Sequence, residues 1–119
     1  MNPIILVVIN DYECRLQVES AASELSAECV FVSFGEHLTD LVKRTNPFLL
    51  IIEFNNDSSN WIQRHLSEIK ADLNDFPVIG ITGDSESDYT RLERAGCTRI
   101  LTKPAFIKKT KSLIETYIR

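Results

Sequence analysis

The chain has 119 residues, 44% of them hydrophobic, which is enough to bury the core of one soluble domain over 1–119 and too few for two. A formal net charge of -4 with a pI near 5.1 argues against the basic face that nucleic acid selects and against an anionic membrane as partner. Cys14, Cys29 and Cys97 are odd in number, with no Cys-x-x-Cys pair, so neither a disulfide framework nor a zinc site is expected, and a reducing cytoplasm fits best.

Ile4 to Ile9 is an unbroken apolar run, the pattern of a parallel strand buried on both faces. It is too short to span a membrane and lacks the basic lead of a signal peptide. Asn10-Asp11 ends it. Asp11 is placed to cap a helix in which Leu16, Val18, Ala21, Ala22 and Leu25 recur at mostly helical spacing to about Ala27. Cys29 to Ser33 forms a second strand, with Cys14 and Cys29 as small core or near-surface fillers, and Gly35 marks the exit.

Leu38, Leu41 and Val42 belong to a second helix, which Asn46-Pro47 ends because proline disfavours helix at the residue before it. The third strand, Phe48 to Ile52, runs into Glu53. A polar stretch, Asn55 to Asn60, then leads to a third helix marked by Trp61, Ile62, Leu66, Ile69 and Leu73. Trp61 has two readings, a helix-docking anchor or a partner contact. His37 and His65 have no companion at ligand spacing and read as surface or boundary residues.

Phe76-Pro77 announces a fourth strand, Val78 to Thr82, and Gly83-Asp84-Ser85 breaks it. A polar helix follows, with Tyr89, Leu92 and Ala95 as its few apolar positions. Arg99 to Thr102 is a fifth strand, stopped by Lys103-Pro104. A last helix from about Phe106 to Ile118 has Ile107, Leu113, Ile114, Tyr117 and Ile118 inside and Lys108, Lys109 and Lys111 on a solvated face. Five strands alternating with five helices predict a doubly wound, flavodoxin-like parallel sheet. Reacting groups in such sheets gather at the carboxyl ends of the strands. No catalytic triad can be assembled there, because neither histidine is placed beside a nucleophile.

Pro77-Val78-Ile79 leading to Thr82, then Ala95-Gly96, then Leu101-Thr102-Lys103-Pro104 follow one another as in response-regulator receiver domains of bacterial two-component systems, and Asn46-Pro47 before the third strand is similar as well. The resemblance covers essentially the whole chain. It implies strand order 2-1-3-4-5 and a site in which an aspartate ending the third strand takes a phosphoryl group, with magnesium held by two acids after the first strand. Carried onto this sequence, the acceptor position is Glu53, the acid pair falls on Ile9 and Asn10, the hydroxyl is Thr82 and the lysine is Lys103. The aromatic of the fifth strand that reports phosphorylation in the family is replaced by Ile100.

Three of the five site positions depart from the pattern. The extra methylene of Glu53 moves its carboxylate by about 1 Å or more, and misplacement of that order costs about a hundredfold in rate. Isoleucine and asparagine are poor replacements for two carboxylates around magnesium, so no cofactor is expected. Asp11 could supply one acid or cap the first helix. With Ile9 and Asn10 neutral, Glu53 faces Lys103 alone, and the expectation is a direct Glu53–Lys103 pair with Thr82 close by, holding the site shut. In a variant of that expectation, Glu53 draws Thr82 and Lys103 inward and imitates the phosphorylated state.

The function so implied is a pseudo-receiver: a phosphorylation-independent module, not an enzyme, that binds another signalling protein or a second copy of itself. The surface implied is that of the fourth helix, fifth strand and fifth helix, with Tyr89, Arg99, Lys108 and Tyr117 on it. The competing function is residual phosphoryl acceptance on Glu53 or on Asp57. A small-molecule flavodoxin-like binder is disfavoured, because Gly83-Asp84-Ser85 is short for a phosphate cradle and follows the wrong strand.

Overall fold

A computed structural model describes residues 2–54, 59–83 and 86–118. Strands β1 (Ile4–Val8), β2 (Glu28–Phe31), β3 (Leu49–Glu53), β4 (Val78–Thr82) and β5 (Arg99–Thr102) alternate with helices α1 (Tyr12–Glu24), α2 (Leu38–Thr45), α3 (Ser59–Asp72), α4 (Glu86–Ala95) and α5 (Lys103–Tyr117). All strand pairings are parallel and the order is β2-β1-β3-β4-β5, as the sequence predicts.

Alternation along the strands divides the core, because successive side chains point to opposite faces. Ile5, Val7, Leu49, Ile51, Ile79 and Leu101 face α1 and α5 and meet Cys14, Val18, Phe106, Leu113 and Ile114. Leu6, Val8, Leu50, Ile52 and Val78 face the other way, against Leu38 and Val42 of α2, Ile62, Leu66 and Ile69 of α3, and Leu92 and Ala95 of α4. Two expected core positions are instead exposed, Leu16 and Leu73. The buried face of α1 is Cys14, Val18, Ala21 and Ala22; Leu16 is two residues from both Cys14 and Val18, on the opposite side of the helix. Leu73 follows the last residue of α3.

Helix ends follow the local chemistry. Asp11 caps α1 by accepting the Cys14 N–H at 3.0 Å. Asn46 ends α2 in the left-handed conformation at φ 50°. Thr102 caps α5 and Pro104 occupies its first turn, where a missing N–H costs nothing. Trp61 is half-buried: it donates its indole N–H to the Glu36 carbonyl at 3.0 Å and sets its ring edge-on to Phe34 at 5.7 Å. The anchor reading of this residue therefore holds. His65 is half-buried beside the Trp61 ring, and His37 is exposed.

Candidate functional site

At the carboxyl end of the sheet, β1 and β3 are direct neighbours, with Val8 opposite Ile52, so the side chain of the next β3 residue, Glu53, reaches the turn between β1 and α1. Its Oε1 accepts the backbone N–H of Asn10 at 2.8 Å and of Asp11 at 3.2 Å. These N–H groups stand where α1 begins, and the open amides of a helix start favour a negative charge. Glu53 is thus an acceptor for the β1–α1 turn. Ile9 is buried in the α1/α5 side of the core, and Asn10 is exposed.

Lys103 is the first residue of α5, a place where the helix dipole disfavours a cation. Asp11 offsets this, its Oδ1 lying 2.8 Å from Nζ, and Glu13 approaches at 3.6 Å. The Lys103 ammonium, with the Cys14 N–H, holds the Asp11 carboxyl below its usual range, and Asp11 in turn raises the Lys103 ammonium. Both roles weighed for Asp11 meet in one side chain: it caps α1 with Oδ2 and supplies an acid to the pocket with Oδ1.

The expected Glu53–Lys103 pair is therefore not formed. Lys103 turns to Asp11 and Glu13, and Glu53 turns to the backbone. Two backbone donors outcompete a lysine for Glu53 because they are fixed in place by the turn, whereas Lys103 finds a second carboxylate in Asp11. The inward gathering of Thr82 and Lys103 around Glu53 is not formed either. Thr82 is buried at the end of β4, and its hydroxyl has no hydrogen-bond partner among the described residues.

The remaining positions fall as follows. Ile100 is half-buried and packs against the α2/α3/α4 side of the core. Tyr89, Arg99 and Lys108 are exposed, while Tyr117 packs against the α1/α5 side. Asp57 and the Asp84-Ser85 pair lie outside the described residues. Among the described residues, no three His, Cys, Asp or Glu side chains are gathered as metal ligands. The thiols are all free, and burial pushes Cys14 up to about 12 and Cys97 to about 12, far from the range of a reactive thiolate.

No protein-family model and no curated protein sequence matches this sequence. Solved structures do match. A CheY-like protein, tadZ, from Pseudomonas aeruginosa PAO1 superposes with a TM-score of 0.81 at 13% identity, over 98% of this chain and 99% of that one. A response regulator from Hahella chejuensis gives 0.80 at 15% identity, over 98% and 96%. An orphan response regulator of H. pylori gives 0.77 at 16% identity, over 98% and 97%. The chain therefore has the CheY-like fold of response-regulator receiver domains. Sequence reasoning missed the Asp11–Lys103 pair and the capture of the β1–α1 turn by Glu53. The first had a signal in the sequence, an acid two residues after the buried Ile9; the second rests on backbone donors, which leave no trace in residue types.

Proposed function

We propose that the chain is a signalling module that works by binding another protein and not by accepting a phosphoryl group. The observation that carries this reading is the engagement of the Glu53 carboxylate by the Asn10 and Asp11 N–H groups. A phosphoryl acceptor must aim a carboxylate oxygen at the incoming phosphorus, whereas the two N–H groups, both on Oε1, fix the Glu53 carboxylate against the β1–α1 turn. The groups that would grip the phosphoryl oxygens are also engaged elsewhere or enclosed: Lys103 by Asp11 and Glu13, and Thr82 by burial.

Magnesium has no part in this mechanism. Around the pocket the Asp11 carboxylate is neutralised by an ammonium, Glu53 uses Oε1 on two amides, and Ile9 offers no donor; this donor set fits poorly an ion that demands octahedral oxygens and negative charge. The module acts through a constitutive shape, as the partner surface of α4, β5 and α5 does not depend on a charge arriving at Glu53. Free thiols and an acidic balance suit a cytoplasmic protein with a protein partner rather than nucleic acid or membrane.

The test is incubation with acetyl phosphate and magnesium followed by intact mass measurement. The mass is expected to stay unchanged. A stable gain of one phosphoryl group, on Glu53 or Asp57, would overturn the reading.

A further inference from the structure

Charge is unevenly divided along this chain. Residues 2–83 carry twelve acidic and five basic side chains, whereas residues 86–118 carry four acidic and seven basic ones. Four of the five cations of the first part are occupied. Lys43 pairs with Asp72 and Arg64 with Glu68, Arg15 lies over the Phe31 ring at 4.3 Å, and Lys70 donates to the Asn74 and Phe76 carbonyls; Arg44 alone stands exposed without such a partner among the described residues.

The second part is the reverse. Lys103 and Lys111 reach across to acids of α1, but Arg91, Arg94, Arg99, Lys108 and Lys109 are all exposed and make no ion pair among the described residues. They lie on one end of the molecule, since β5 is the edge strand and α4 and α5 pack on its two sides. Lys109 stands about 160° round α5 from Lys111 and so faces away from α1. Tyr89, 45% exposed on α4, adds an apolar anchor to the same end.

We propose that this end receives an acidic segment of a partner protein, one that brings carboxylates to the free guanidinium and ammonium groups and an apolar side chain to Tyr89. The proposal rests on the reading above, that the chain acts by binding a protein. Complementary charge at a surface of this kind sets orientation and choice of partner. A second copy docking through the same face is disfavoured, because a two-fold contact sets each patch against itself and would bring these cations together. A long polyanion such as duplex DNA is disfavoured for another reason. The molecule measures 34 × 31 × 23 Å and the screening length is about 8 Å at physiological salt; a short acidic segment feels only the basic end, while a duplex lying across the surface also meets the acidic remainder.

The test is an NMR titration of the isotope-labelled full chain with a short peptide of alternating glutamate and leucine, with its lysine-for-glutamate counterpart and a duplex DNA fragment as controls. The acidic peptide is expected to shift amide signals around Arg91, Arg94, Arg99 and Lys109, with affinity falling about tenfold between roughly 50 and 300 mM salt and about tenfold again in an R99E/K109E variant whose spectrum stays folded. Shifts confined to α1, α2 and α3, equal binding of the lysine peptide or the DNA, or dimerisation through this face would overturn it. Repeating the titration with acetyl phosphate and magnesium separates the two claims: binding that appears only then refutes phosphorylation independence and leaves the acidic-partner surface standing. Absence of binding under both conditions refutes the surface and leaves the module's independence of phosphorylation intact.

Discussion

The Glu53 carboxylate accepts the Asn10 N–H at 2.8 Å and so ties the end of β3 to the turn that opens α1. The same oxygen holds the Asp11 N–H, and Asp11 carries the connection on to Lys103 at the head of α5. Three elements that meet at the rim of the sheet are thereby joined through two carboxylates and one ammonium.

Removing the first link should be measurable. Glu53→Ala leaves two amides without their charged acceptor, and a loss of about 1–2 kcal/mol is expected in urea unfolding, hydrogen bonds to ionised groups being worth somewhat more than neutral ones. Glu53→Gln retains an acceptor oxygen and should lose less. Equal losses in the two variants would mean that packing of the methylenes, and not the oxygen, carries the effect.

Thr82 predicts the opposite sign. Its buried hydroxyl has no partner among the described residues, and a valine of nearly the same shape removes the desolvation cost of that group. Thr82→Val is expected to be neutral or stabilising by up to about 1 kcal/mol, read from the denaturation midpoint. A clear loss of stability would show that the hydroxyl is satisfied in solution.

The Asp11–Lys103 pair sets a pH window. The folded-state value of Asp11 is lowered, so its contribution is complete above the unfolded value of about 3.9 and fades as pH falls through the lower folded value. Lys103 is raised, so its contribution is complete below the unfolded value of about 10.4 and fades as pH rises through the higher folded value. Between those limits the pair stabilises at a constant level, weakened by its partial exposure to solvent. Stability profiles of the protein and of Lys103→Met should run parallel across neutral pH and converge at both extremes; a gap that persists at low pH would place the interaction elsewhere.

Gly96 is required by both backbone and space. Its φ is +103°, and a Cβ there would lie 2.8 Å from Cγ of Lys70, a side chain itself held by the Asn74 and Phe76 carbonyls. Gly96→Ala should cost about 1–3 kcal/mol, measured by thermal or urea unfolding, and an unchanged midpoint would contradict the close approach of α3.

The order of the strands came from the resemblance to receiver domains, and the strands themselves were legible because β1, β3 and β4 are apolar on both faces, a pattern that only a covered parallel sheet explains. The positions of Glu53, Thr82 and Lys103 at strand or helix ends were legible for the same reason. The partner of Lys103 was not. Residue types reveal charges, and Glu53 and Asp11 both qualified; the choice was made by two main-chain N–H groups whose direction depends on the turn after Ile9. Leu16 was misplaced through composition outweighing period, since an apolar residue set opposite Cys14 and Val18 cannot share their face.

The contact between Asp11 and Lys103 joins residues 92 apart in the chain, and behind it Phe106, Leu113 and Ile114 cover Cys14 and Val18. During synthesis, the apolar stripe of α1 is therefore made early and stays only partly covered, by the strands, until α5 has left the ribosome. The packing of α1 is completed by α5, so a nascent chain arrested before Lys103 would hold a sheet with one face half covered, the form of this protein on which chaperones and proteases have the most to grasp.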